Sequence, residues 1–87
     1  MNHHESIKQL STIPGVGKSI AQDLYDFGIR CVADLQGKDP EMMYEVSNRL
    51  VGKQQDRCLL YVFRCAVYFA EEKTHDPKLL KWWNWKD

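Results

Sequence analysis

Three things are scarce in this sequence of 87 residues: cysteine, long apolar runs and an excess of charge of either sign. Without a run of about 20 apolar residues, no segment is long enough to cross a membrane as a helix. An odd set of three cysteines is a poor framework for disulfides, which favours a reducing compartment. Residues 1–5 are polar and lack the apolar core of a signal peptide. Together these absences predict a cytoplasmic protein without a membrane partner.

The charge balance limits how strongly the chain can bind a polyanion. Lysine and arginine together number 12, as do aspartate and glutamate, so the formal net charge is +0 at pH 7. Proteins that bind nucleic acid by electrostatics alone usually carry a basic excess. Any affinity for DNA must therefore come from a local basic patch, and we expect it to be modest and sensitive to salt.

The sequence also lacks a catalytic constellation. No histidine can be paired with a nucleophile and no cluster of carboxylates suggests a metal, so we predict a protein that is not an enzyme and needs no cofactor. Cys58 and Cys65 stand seven residues apart on one predicted helix, and Cys31 is the third thiol. Because no Cys-x-x-Cys pair is present, we interpret the three cysteines as small, buried apolar side chains. A thiol-based metal or redox role is the remote alternative.

Apolar residues recur at helical spacing along the whole chain, and no stretch alternates as a strand does. The pattern predicts a single all-α domain over 1–87, with five to six short helices. Asn2 and Glu5 have the spacing of a capping box, Gly28 suits a left-handed helix end, and Asp39 precedes a proline at a helix start. The predicted units are 3–27, a looser repeat at 30–50, a long core helix at 54–73 and a tryptophan-rich segment at 77–85.

A glycine-rich turn between the first two helices is the most informative stretch. Gly15 and Gly17 can adopt backbone angles that other residues resist, and they leave space for a ligand to approach. The next helix begins near Lys18, so its unsatisfied N–H groups and positive dipole end lie at the same place. We predict a phosphate site formed by Pro14, Gly15, Val16, Gly17, Lys18 and Ser19. A nucleotide-binding P-loop is excluded, because Thr12 stands where that loop needs glycine and no strand precedes it.

The turn and its flanks carry a resemblance to a known motif. Residues 13–18, followed by Ile20, Ala21 and Leu24, resemble the helix-hairpin-helix motif of polymerases, ligases, glycosylases and nucleotide-excision nucleases. Residues 13–70, with the closing residues 81–86, resemble more specifically the small bacterial "pathogenicity locus" family. The stretches that carry this resemblance are IPGVGK, DRC, YVFRCA and KWWNWK. The resemblance implies a paired helix-hairpin-helix fold and binding to the DNA backbone, and it implies no established reaction.

Carried over by position, the resemblance also implies individual roles. The amides of Gly15, Gly17 and Lys18 would donate to phosphate oxygens. The carbonyls of Ser11, Ile13 and Val16 would ligate a monovalent cation. The second unit departs from the motif, because Gly37-Lys38-Asp39 replaces the two-glycine turn and Asp39 would repel phosphate.

We therefore predict non-sequence-specific DNA binding through the phosphate backbone. Asp23 and Asp26 should weaken the site without abolishing it. Additional contacts are predicted from four cations near turns or helix ends: Lys8, Lys38, Lys53 and Arg57.

The alternative is a protein-interaction or homodimerisation module without direct DNA contact. It would use the long helix and the segment Trp82–Trp85 to dock on a larger DNA-processing protein or on a second copy. For that segment the favoured interpretation is a clamp that completes the core. Its tryptophans could instead stack on single-stranded bases or anchor a protein partner.

Overall fold

The computed structural model describes residues 2–87, and over this range the chain is helical without a strand. This confirms the all-α prediction. The number of helices differs from the predicted five to six, because three of the segments are single 3₁₀ turns. The α-helices are α1 (His3–Leu10), α2 (Lys18–Asp26), α3 (Pro40–Val51) and α4 (Cys58–Glu71); the 3₁₀ segments are Val32–Leu35, Pro77–Leu80 and Trp82–Trp85.

Two of the 3₁₀ segments lie in the predicted tryptophan-rich segment at 77–85, and the third, Val32–Leu35, lies in the looser repeat at 30–50. Each closes through i to i+3 hydrogen bonds, such as the amide of Leu79 to the carbonyl of Asp76 at 2.9 Å. Four residues are too few for the repeated i to i−4 bonds of an α-helix. These segments therefore connect helices and pack on them, and they do not form layers of their own.

Local capping signals place most helix ends where the sequence predicts them. Asn2 accepts the amide of Glu5 at 2.8 Å and donates to its carboxylate at 2.9 Å. Asp39 accepts the amide of Glu41 at 3.0 Å. At the end of α2, Gly28 has φ +95° and the amide of Ile29 bonds back to Leu24 at 2.9 Å, which is a Schellman end.

The start of α4 lies four residues later than predicted, at Cys58 instead of 54. The preceding loop is held by α3: the amide of Gln55 donates to Asn48 Oδ1 at 2.9 Å, and its carbonyl accepts the hydroxyl of Tyr44. Asp56 then accepts the amide of Cys58, the first residue of α4, at 2.8 Å. Side-chain bonds to α3 thus fix residues 54–57 as a loop.

Helix α4 is central to the core, as its nearly uniform apolar pattern predicts. It is the longest helix at 14 residues, and α3 and all three 3₁₀ segments pack around it. Within residues 2–87 no helix combines the length and apolar character that a membrane span requires. The buried residues of α4 are Leu60, Val62, Phe63, Cys65, Ala66 and Val67.

Three charged side chains fasten the end of the chain to α4, and we call this group the C-terminal clasp: Arg57, Arg64 and Asp87. Arg64 donates to the carbonyl of Trp85 at 2.7 Å and to Asp87 Oδ1 at 2.8 Å, and Arg57 pairs with the other oxygen of that carboxylate. Hydrogen bonds from Arg64 and then Arg57 lower the pKa of the Asp87 carboxyl. The clasp therefore fixes the position of the segment Trp82–Trp85.

Candidate nucleic-acid interface

The turn between α1 and α2 is anchored from the core side. Ile13 and Val16 are buried, and the amide of Val16 donates to the carbonyl of Ile13 at 3.0 Å. Gly15, at the tip, has φ +84°, a conformation that side-chain-bearing residues rarely adopt. Two buried side chains and one internal hydrogen bond thus hold the glycine turn in a fixed shape.

Four exposed residues of this turn and of the helix start that follows it offer backbone donors. The amides of Gly15, Gly17, Lys18 and Ser19 have no acceptor within residues 2–87, and all four residues are exposed. The other two residues of the predicted phosphate site do not contribute a donor. Val16 uses its amide internally, and Pro14 has none.

Helix α2 also differs from the other α-helices of the described chain in how it begins. In each of the others a side-chain oxygen accepts an amide of the first turn: Asn2 at α1, Asp39 at α3 and, one residue before the N-cap, Asp56 at α4. Helix α2 has Gly17 at its N-cap, no side-chain cap and no acidic residue in its first turn. Its positive dipole end is therefore left without a carboxylate, and the first helical residue is the cation Lys18.

A groove between α1 and α2 continues from this helix start. Its volume is about 440 Å³, and no carboxylate is among the residues that line it. His3 Nε2 lies 2.7 Å from Gln22 Oε1; because Gln22 uses its amide nitrogen on Asp26, the histidine nitrogen is the donor. We call this cavity the basic groove, and it is lined by His3, His4, Ile7, Lys8, Ser11, Lys18 and Gln22.

The basic groove brings together two of the predicted cations, Lys8 and Lys18, and adds two histidines, His3 and His4, that the predicted site did not include. A signal for His4 was present. His4, Lys8 and Ser11 follow one another at spacings of four and three residues, which places them on one face of α1. His4 contributes to the site because the face of α1 that carries it lines the basic groove.

The other predicted cations lie elsewhere. Lys38 and Lys53 are on the turns before and after α3 and do not line the basic groove. Arg57 is held in the C-terminal clasp, where it and Arg64 share the carboxylate of Asp87. The structure therefore does not place these three with the glycine turn or the groove.

The second glycine turn is occupied by the protein's own carboxylates. The amide of Gly37 donates to Glu71 Oε2 at 2.9 Å, and Asp39 uses its side chain to cap α3. Two negative charges beside the turn disfavour phosphate. This agrees with the departure from the motif that the sequence shows at Gly37-Lys38-Asp39.

Acidic residues on α2 stand apart from the groove lining. Partial burial, with a smaller contribution from Asp26, raises the pKa of the Asp23 carboxyl. Asp26 accepts a hydrogen bond from Gln22 at 2.8 Å. Neither residue lines the basic groove, so their carboxylates would act on a bound anion only through longer-range electrostatic repulsion.

The carbonyls assigned to a monovalent cation are partly available. Ile13 uses its carbonyl to accept the amide of Val16, whereas the carbonyls of Ser11 and Val16 accept no hydrogen bond within residues 2–87. The cation site stays a prediction.

A tryptophan from the far end of the chain lies against the glycine turn, which the sequence pattern does not reveal. A Cβ built on Gly15 would stand 3.0 Å from Cδ1 of Trp82 and 3.7 Å from its Cβ. The same construction on Gly17 meets nothing within 4 Å. One glycine thus supports packing, and the other faces open space.

This difference gives a stability prediction. Gly15→Ala should destabilise the protein by at least about 1–2 kcal/mol, because alanine is strained at positive φ and its methyl group would displace Trp82. Gly17→Ala, at φ −91° with free space, should cost less than about 1 kcal/mol. Urea unfolding of both variants measures this, and equal losses would contradict the assigned roles.

Comparisons with known proteins place the chain among relatives. A family model described as "Cdd1: Pathogenicity locus" matches residues 3–87. The mitomycin resistance protein McrB of Streptomyces lavendulae is 34% identical over 76 residues, which cover 87% of this chain and 69% of the relative. No solved structure matches the chain significantly.

Proposed function

The chain belongs to the pathogenicity locus family, and from its geometry we propose that it binds DNA through the phosphate backbone, without sequence preference. In this proposal the glycine turn between α1 and α2 acts as a helix-hairpin-helix motif. One observation carries it: exposed amides without acceptors at Gly15, Gly17 and Lys18 begin a helix that no carboxylate caps. Such a helix start favours an anion.

Binding at the turn would combine three contributions. The free amides donate to phosphate oxygens, the ammonium of Lys18 adds a charge-assisted contact, and the dipole of α2 favours negative charge. A charge-assisted hydrogen bond contributes about 1.5–3 kcal/mol and the dipole about 0.3–1 kcal/mol. Since about 4 kcal/mol corresponds to a Kd of about 1 mM, the turn alone would bind weakly.

A second phosphate in the basic groove would strengthen binding. Lys8 and Lys18 line that cavity together with His4, whose ring offers an N–H donor, whereas the N–H of His3 is used on Gln22. A strand that crosses the turn into the groove would place neighbouring phosphates at both. Contacts of this kind fix the register of the protein on DNA and do not distinguish bases.

The resemblance implies two helix-hairpin-helix units, and we propose a different role for each. We assign DNA contact to the first unit, residues 3–27. The second unit, residues 30–50, would serve as a scaffold, because Glu71 occupies the amide of Gly37. This function requires no catalysis and no cofactor, and it is compatible with a cytoplasmic protein.

The dependence of affinity on salt tests the proposal. Two to four neutralised phosphates should give a log–log slope of about −2 to −4 for short duplex DNA. Fluorescence anisotropy with a labelled duplex at several low salt concentrations measures the slope, and two unrelated sequences should bind equally. No binding at low salt, or a slope near zero, would refute the proposal.

A protein-interaction or homodimerisation module is the second candidate. The observation that favours it is the exposure of three apolar side chains on α3: Met42 is 55% exposed, Leu50 64% and Val51 50%. Helix α4, which the sequence suggested for this role, is covered. Analytical sedimentation separates the candidates: a dimer dispersed by Leu50→Lys, together with absence of DNA binding, would support this one.

A further inference from the structure

The three tryptophans of the final segment have different surroundings. Trp82 packs against the core and the tip of the glycine turn. Trp85 donates its indole N–H to the carbonyl of Leu79 at 2.8 Å and packs on Tyr68, with ring centroids 5.4 Å apart. Trp83 has no hydrogen-bond partner for its indole within residues 2–87, and its side chain is 49% exposed.

Trp83 is connected to the proposed phosphate site through Trp82. Its ring meets that of Trp82 edge to face, with centroids 5.6 Å apart and an interplanar angle of 87°, and Trp82 touches Gly15. A perpendicular contact leaves at least one face of the Trp83 ring uncovered by its neighbour. The same segment carries the exposed cation Lys81. An accessible indole face thus lies one residue away from the turn whose amides are free.

We propose that Trp83 stacks on an unpaired base of the DNA strand whose phosphate is held at the glycine turn. The proposal rests on the proposed function and narrows its substrate to single strands and to duplexes with unpaired ends or gaps. A base within a duplex is stacked on both sides, so only an unpaired base offers its face to an aromatic ring. In a nucleotide only the sugar separates the phosphate from the base. A phosphate held at the glycine turn therefore brings its own base close to the turn.

The surroundings of Trp83 favour nucleic acid over an apolar protein partner. A protein anchor would need an apolar patch around the indole, whereas the exposed residues near it in the chain are Lys81 and Asn84, and Trp82 links it to the polar backbone of the glycine turn. Free amides and a cation suit the phosphates that accompany a base. The combination of a stacking ring with a cationic backbone site is typical of binding to single strands.

Matched oligonucleotides test the stacking. The full chain is titrated with a labelled single strand, with a strand of equal length in which abasic sites replace the central bases, and with a blunt duplex. The normal strand should bind about 5- to 150-fold more tightly than the abasic one. Tryptophan fluorescence should be quenched by the normal strand and much less by the abasic strand.

Variants of Trp83 separate stacking from a structural role. Trp83→Ala should bind normal and abasic strands equally, with an unchanged salt slope and unchanged helical content. Trp83→Tyr, which keeps an aromatic face, should restore most of the difference. Lys18→Glu should instead weaken binding to all three ligands.

The outcomes distinguish this inference from the proposed function. If the normal and abasic strands bind alike while Lys18→Glu still abolishes binding, the stacking is wrong and backbone binding stands. If Trp83→Ala weakens all ligands alike, or disperses a dimer without affecting DNA, Trp83 supports the fold or a protein contact and the inference is also overturned. Absence of binding to every ligand at low salt would end both proposals.

Discussion

Lys18→Glu is expected to lower the affinity for DNA by at least about 10- to 150-fold, the loss of one charge-assisted contact. The carboxylate would also stand among the free amides of the glycine turn, where it would compete with phosphate and repel it. Lys18 has the largest predicted effect of any single side chain because it belongs both to the start of α2 and to the basic groove.

The same substitution should leave the fold intact or stabilise it. Helix α2 has no acidic residue in its first turn, and a glutamate there gains about 0.3–1 kcal/mol from the helix dipole. Binding and stability are thus expected to change in opposite directions, which a merely disruptive mutation cannot produce.

Lys73→Glu is the matched control for charge. It makes the same change in net charge at an exposed residue after α4 whose side chain has no partner within residues 2–87. It should bind nearly as well as the parent protein. Anisotropy and urea unfolding give both quantities; a Lys18→Glu protein that binds like the parent would refute the role of the glycine turn.

Phe63→Ala is expected to destabilise the protein by about 3–5 kcal/mol, which is the usual range for removing a buried aromatic ring. Phe63 lies on α4 with 0% exposure, and its ring meets that of Phe27 at the end of α2 edge to face, with centroids 6.0 Å apart. Small domains have total stabilities near the low end of about 5–15 kcal/mol. The variant should therefore be largely unfolded at moderately raised temperature.

Leu50→Ala provides the comparison for this prediction. Leu50 is on α3 and 64% exposed, so its truncation should change the free energy of unfolding by less than about 0.5 kcal/mol. Thermal and urea unfolding followed by circular dichroism measure both variants. A loss below about 1 kcal/mol for Phe63→Ala would show that α4 is not the centre of the core.

Features that depend on a few neighbouring residues could be predicted from the sequence. Asn2 and Asp39 cap their helices as expected, and Gly28 ends α2 in the left-handed region. In each case the donor and acceptor lie within a few residues, so local geometry decides the outcome. The shape of the glycine turn belongs to this class, since Val16 closes on Ile13 within it.

Contacts between distant parts of the chain could not be predicted in this way. Nothing in the spacing of residues places Trp82 against Gly15, or Asp87 between Arg57 and Arg64. These pairs follow from how the final segment folds over α4, which helical periodicity does not specify. Two conclusions about the site depend on them: Arg57 is occupied, and an indole lies beside the turn.

The C-terminal clasp affects how titrations with added electrolyte should be interpreted. Ion pairs in contact with solvent weaken as counterions screen them, and this group fastens the segment that bears all three indoles. Added salt would then weaken both the phosphate contacts and the C-terminal clasp. A straight line fitted over a wide concentration range would overcount the neutralised phosphates, so the initial slope is the quantity to compare between variants.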